Sequence, residues 1–148
     1  MAETGNRNDP FSGFNFRIQI DGIEVGGFSE VSGLSTETDV IEYRNGDEGT
    51  TVRKLPGLTK FPPIVLKRGL TNRKEIWEWR KKVLDGKTQR LSGAIVLLNE
   101  AREPAVTWNF YNAWPRKWEG PTINAKNNEV AIETLEIVHE GLSVTFPG

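Results

Sequence analysis

Phe14-Asn15-Phe16-Arg17-Ile18-Gln19-Ile20 alternates apolar and polar residues without a break. A period of two puts the apolar side chains on one face of an extended strand and the polar ones on the other. No helix sorts this pattern into faces, because its period is 3.6. This stretch is therefore a half-buried strand, and a strand needs partners for its backbone groups.

Further strand signals follow. Asp21-Gly22 suits a tight turn, with Ile23, Val25 and Phe28 as a return strand and Gly26-Gly27 as a bulge within it. Gly33 to Tyr43 is a β-type stretch. Asn45 to Thr51 reads as an exposed loop, closed by a turn at Leu55-Pro56-Gly57. Phe61-Pro62-Pro63 cannot occupy a central strand, because proline lacks the ladder donor. Ile64 to Leu66 resumes a strand, and Gly69 ends it.

One helix is expected, over about residues 72–84. Asn72 would cap it, with Glu75 as the reciprocal partner. Ile76, Trp79 and Val83 form its apolar stripe, Glu78 and Lys82 an i,i+4 pair, and Asp85-Gly86 its stop. Leu91 to Leu98 reads as a strand paired with Val106, Trp108 and Phe110 across an Asn99–Pro104 turn. Ala113 to Pro121 reads as irregular. Glu129 to His139 is the last long strand, and its apolar phase shifts between Ile132 and Leu135, by a bulge or by burial of different faces.

These elements predict a mainly β protein of about six to eight strands, a barrel or a sandwich of two packed antiparallel sheets, with one flanking helix. The 148 residues suit a single domain spanning 1–148, with 1–12 as a flexible arm. Lys plus Arg number 19 against 20 Asp plus Glu, so net charge gives no reason to expect specific nucleic-acid recognition. No run of residues is long and apolar enough for a bilayer, so no membrane insertion is expected. The polar N-terminus has no export-signal core, which predicts cytoplasmic synthesis.

Catalytic chemistry has little to work with. Cysteine is absent, which excludes disulfides, thiolate metal sites and a Cys nucleophile. His139 is the sole histidine, so no His–His metal pair exists, and no Gly-x-Ser-x-Gly elbow accompanies it. Neither phosphate-loop nor dinucleotide glycine patterns occur, and no cofactor is expected. Glu133, Glu136 and Glu140 would serve a glycosidase only as a carboxylate pair; otherwise they are the wet face of a strand. Arg73, Lys74, Arg80, Lys81 and Lys82 interleave with Trp77 and Trp79, a pattern of nucleic-acid stacking unless the tryptophans are core. Trp108, Trp114 and Trp118 form a sugar-binding platform if exposed, and core or interface anchors if buried.

Several stretches together carry a resemblance. They are Gly27-Phe28-Ser29-Glu30-Val31-Ser32-Gly33-Leu34, Ile41-Glu42-Tyr43-Arg44-Asn45-Gly46, Lys54-Leu55-Pro56-Gly57 and Ile64-Val65-Leu66-Lys67-Arg68-Gly69. The second half adds Trp108-Asn109-Phe110-Tyr111-Asn112-Ala113-Trp114-Pro115, Lys117-Trp118, Asn128-Glu129-Val130-Ala131-Ile132-Glu133 and His139-Glu140-Gly141-Leu142. In order and spacing these resemble the tail tube proteins of contractile-tailed phages and the inner-tube proteins of phage-tail-like contractile injection systems. The resemblance spans roughly residues 14–142.

It implies a structural, non-enzymatic subunit. Hexameric rings would stack into a hollow tube inside a sheath, between baseplate and cap proteins, with effector cargo or DNA in the lumen. It also implies a lumen barrel of about 24 strands, which at ~4.8 Å spacing and ~35–45° tilt gives a backbone diameter of ~45–50 Å. By the same analogy, Tyr43, Arg44, Asn45, Gly46, Asp47, Glu48, Gly49, Thr50, Thr51 and Lys54 are inter-ring contact candidates. Asn15, Arg17 and Gln19 are the lumen-lining candidates. A baseplate-proximal tube-initiator protein is an alternative role, and a carbohydrate-binding β-sandwich an alternative function.

Overall fold

The computed structural model describes residues 10–147 except 14, 24, 45, 47, 48 and 127. The expected arm at 1–12 and three loop candidates, Asn45, Asp47 and Glu48, thus lie wholly or largely outside the described residues. Nine strands and one helix follow in order: β1 (Phe16–Ile20), β2 (Phe28–Ser32), β3 (Glu37–Tyr43), β4 (Arg53–Lys60), β5 (Ile64–Gly69), α1 (Glu75–Leu84), β6 (Leu91–Leu98), β7 (Pro104–Glu119), β8 (Ile132–Val138) and β9 (Gly141–Thr145).

Two antiparallel sheets share β7. The first runs β1-β6-β7-β9 and the second β7-β8-β5-β2, while β3 and β4 form a separate two-stranded arm. β7 is long enough to serve both sheets because it bends midway. Asn112 takes φ 55° there, and the register of β7 on β8 slips between Pro115 and Lys117. A proline at such a slip costs no ladder bond. The expected irregular segment from Ala113 is therefore strand as far as Glu119, and aromatic, proline-bearing residues are the means of the bend.

The core lies between the sheets. The first sheet contributes Ile18, Ile20, Ile95 and Phe110, the second Ile64, Leu66, Leu135 and Ile137. α1 closes the space with Ile76 and Trp79, whose indole N–H donates to the Gln89 carbonyl at 2.8 Å. Val83 is half-buried, as befits the end of the stripe.

Other local expectations are revised. Asp21-Gly22 does turn, with Gly22 at φ 75°, but only an isolated Ile20–Ile23 bridge follows. The hairpin's return strand is absent because Phe28 crosses to the other sheet, where β2 pairs with β5. Leu55-Pro56-Gly57 lies inside β4 rather than at a turn; a two-stranded ribbon has free edges on both sides, which tolerate proline. α1 starts after Lys74, with no side-chain cap bond, so the Asn72–Glu75 box does not form. Glu78 pairs with Lys74 at 3.6 Å, while Lys82 reaches the Gln89 side chain at 2.6 Å. Gly86, at φ 75°, ends the helix as expected.

β8 resolves the phase shift without a bulge. Glu133, Leu135 and Ile137 all face inward, in continuous register with β5. The carboxylate at the inward position is matched to Arg68, whose Nε donates to Glu133 Oε2 at 3.0 Å. Trp118 Nε1 donates to the other oxygen at 3.0 Å, and the guanidinium lies over the Phe28 ring. A buried charge persists only with such partners.

Candidate assembly surfaces

The first sheet presents one face to the core and the other outward. Across strands, Arg17 aligns with Val96, Thr107 and Thr145, and Gln19 with Ala94, Asn109 and Ser143. Opposed residues share a face, so the outward face is a field of amides, hydroxyls and small apolar groups. Arg17 and Gln19 are exposed on it. Asn15 is half-buried just before β1, its carbonyl accepting from the Leu98 N–H at 2.8 Å. The three lumen candidates are thus brought together along one edge of one polar face.

That sheet is also open. Among the described residues, β6 is the one strand that pairs with β1, whose other edge holds just the isolated Ile20–Ile23 bridge, and β7 the one strand that pairs with β9. Near the β9 edge Val144 and Phe146 stay exposed, the latter at 70%. Unpaired edges beside uncovered apolar groups are templates for another chain. β9 was missed in the sequence, although the alternation in Leu142-Ser143-Val144-Thr145 was a readable signal.

The β3–β4 arm is a second surface without cover. It exposes Val40 at 62% and Leu58 at 75%, with Ile41, Tyr43 and Leu55 about half exposed. Ile41 lies opposite Leu55 and Val40 opposite Pro56, so apolar groups occupy both faces of the ribbon. Tyr43 and Lys54 sit in the strands, on either side of the tip that carries Arg44, Gly46, Gly49, Thr50 and Thr51. The candidates therefore gather at the end of a projecting ribbon rather than in a plain loop.

The chemical candidates are otherwise engaged. Glu133 is buried against Arg68 and Trp118; Glu136 pairs with Arg116 and Glu140 with Arg90. His139 packs between Phe61 and Phe110, and its Nδ1 contacts the Gly141 carbonyl at 3.0 Å. Trp108, Trp114 and Trp118 are half-buried, as core or interface anchors are, rather than standing open as a sugar platform would. Trp79 is core, and Trp77 packs on Trp118 with ring centroids 5.0 Å apart. Among the described residues no cluster of His, Cys, Asp or Glu could hold a metal ion, and no helix is long and apolar enough to cross a membrane.

What the molecule does offer is edges and uncovered faces, and comparison with known proteins agrees with that emphasis. Residues 12–143 match the family model described as T4-like virus tail tube protein gp19. The chain belongs to this tail tube family. No curated protein sequence matches it.

Solved structures similar to this tail tube protein include a chain of the sheath-tube complex of the extracellular contractile injection system PVC in its extended state. The TM-score there is 0.88 at 24% identity, covering 99% of this chain and 100% of that one. A chain from the baseplate of the anti-feeding prophage AFP is 27% identical with a TM-score of 0.85, over 95% of this chain and 98% of that one. One from the tube-terminating cap of AFP is 28% identical with a TM-score of 0.83, over 99% and 100%. The sandwich, its single helix and its shared β7 are therefore the tail tube fold.

Proposed function

We propose that this chain is the repeating wall subunit of the inner tube of a contractile, phage-tail-like injection system, and that it catalyses no reaction. Six copies form a ring, and rings stack into a conduit for effector proteins or DNA. A sheath surrounds the tube, and a baseplate and a cap meet its ends.

The four-stranded first sheet, open at both edges, carries this reading. β1, β6, β7 and β9 alternate in direction, so β9 runs antiparallel to β1. In a ring about an axis roughly along the strands, β9 of one copy meets β1 of the next in antiparallel sense, and the ladder continues unbroken. Six such sheets supply about 24 strands, a cylinder of ~45–50 Å backbone diameter and too wide for side chains to fill. Val144 and Phe146 gain cover at the same joint.

The outward face with Arg17, Gln19 and Asn15 then lines the lumen. α1, on the core side of that sheet, lies toward the outside. The β3–β4 arm reaches a neighbouring ring through Tyr43, Arg44, Gly46, Gly49, Thr50, Thr51 and Lys54, and its apolar residues are covered there.

Negative-stain microscopy of the purified protein tests the proposal: rings or hollow tubes are expected. A monomer that persists at high concentration would overturn it. Val144→Lys sharpens the test, since an edge lysine blocks strand pairing while leaving a folded monomer.

A further inference from the structure

We infer that the channel favours acidic polypeptide cargo, drawn by a ring of Arg17 guanidinium groups. The inference rests on the proposal that the outward face of β1-β6-β7-β9 lines the lumen. Between the strand ends that face carries Gln19, Thr107, Asn109, Ser143 and Thr145 around Arg17, with Ala94 and Val96 between them. Arg17 is the one charged side chain in these rows. It is exposed and, among the described residues, has no ion-pair partner.

Carboxylates appear only beyond the strand ends: Asp21 and Glu140 at one end, Glu100 and Glu103 in the β6–β7 turn at the other. Glu140 is held by Arg90 at 2.9 Å. Asp21 follows Arg17 by four residues, which is ~13 Å along an extended strand. That separation exceeds the Debye length of ~8 Å at physiological salt, so Asp21 leaves the guanidinium uncompensated. Amides and hydroxyls exchange their hydrogen bonds with water at little net gain. Between the strand ends, the wall's charge is therefore one cation per subunit, separated from the end carboxylates by more than a Debye length along the strands.

Around a ring of ~150 Å circumference, neighbouring Arg17 residues lie ~25 Å apart, far enough not to repel one another through salt water. A cargo that fills the lumen, or runs along its wall, comes within reach of each Arg17 in turn. Such a wall concentrates anionic cargo and excludes cationic cargo.

A conduit must also release what it holds, through attraction that is weak and repeated. Duplex DNA, with one charge per ~1.7 Å, would engage ring after ring and gain counterion release at each. An acidic polypeptide carries sparser charge and meets the same ladder more weakly, which favours it as the occupant.

The test uses assembled tubes, sedimented with fluorescent poly-glutamate, poly-lysine or a short DNA duplex. Wild-type tubes should retain poly-glutamate severalfold more than Arg17→Gln tubes do. That retention should be strong near ~0.01 M salt and lost near ~1 M, as the Debye length falls from ~30 to ~3 Å. Poly-lysine should stay in the supernatant, and Lys81→Gln on the outer helix should change nothing.

Equal retention by Arg17→Gln tubes overturns the inference, and so does retention of duplex without poly-glutamate. If Arg17→Gln alone fails to assemble, Arg17→Lys tubes and the salt response of wild-type tubes decide: salt-independent retention overturns it. If the wild-type protein itself forms no tubes, the tube reading fails instead.

Discussion

The two-sheet body and the β3–β4 arm come from the same chain yet satisfy opposite conditions. In the body, apolar residues meet other apolar residues of the same molecule: Ile64, Leu66, Leu135, Ile137 and Phe110 are essentially fully buried. In the arm, Val40 and Leu58 are mostly exposed, and apolar groups sit on both faces of a ribbon only two strands wide. A two-stranded hairpin is marginal alone in water. The body thus buries its apolar residues within the one chain, whereas the arm leaves its own uncovered, and on the proposed function a neighbouring ring covers them. The contrast shows where a partner would be needed: under the proposed function, the exposed apolar residues mark the surfaces that another copy covers.

The largest expected effect breaks the comparison at the arm. Val40→Ser with Leu58→Ser should abolish stacked tubes in negative stain. The monomer's unfolding free energy from urea titration should stay almost unchanged, within about 0.5 kcal/mol, as for surface substitutions away from special features. A monomer strongly destabilised by this double change would mean that the arm is part of the core after all.

The next effect lies in the body. Arg68→Met should cost about 3–5 kcal/mol of monomer stability in urea unfolding, because it strands the Glu133 carboxylate among apolar groups. Adding Glu133→Leu should recover most of that loss, since an apolar pair of similar volume replaces a desolvated ion pair. A double variant no better than the single one would contradict the pairing.

Gly93→Ala should come third. A Cβ there meets the Gln19 carbonyl of β1 and, at 2.6 Å, the Phe110 ring. Overpacking of this kind costs about 1–3 kcal/mol. It also displaces the edge strand β1, so ring formation should suffer more than the folded monomer does. Comparing the urea midpoint with the sedimentation of assembled species separates the two.

The body was legible in the sequence because its alternation is local. β1, β5 and the first half of β7 follow from apolar spacing, β6 from a short apolar run with little alternation, and the stop at Gly86 from its need for a positive φ. What stayed hidden depends on long-range partners. Nothing near Phe28 says that it pairs with β5 rather than returning to β1. Glu133 hid the inward phase of β8, because a carboxylate at a core position makes sense only once Arg68, 65 residues away, is placed beside it. The helix start moved because Glu75 lies 3.6 Å from Arg68, in an ion pair that competes with its role in a capping box. The Pro56 region read as a turn because proline excludes a central strand, and only the arm's isolation makes it a tolerated edge. The inter-ring and lumen candidates came from resemblance and not from pattern, since the residues that would complete such surfaces belong to another copy.

The smallest effect tests whether ion pairs obey the same division. Lys60 and Asp39 bridge β4 and β3 at 3.2 Å, but their side chains are 61% and 41% exposed. Water already solvates both, and holding two long side chains in one geometry costs entropy, so an exposed pair contributes about 0.2–1 kcal/mol. Lys60→Met should therefore lower the monomer's unfolding free energy in urea by no more than about 0.5 kcal/mol, and high salt should erase the difference. Arg68→Met should keep its cost in the same salt, because screening ions do not reach a pair that is about 2–4% exposed. Two methionine substitutions for cations of opposite burial thus give a salt-sensitive small effect in the arm and a salt-insensitive large one in the body. If Lys60→Met proved as costly as Arg68→Met, the arm would be held by its own chain's electrostatics and would need no neighbour to complete it.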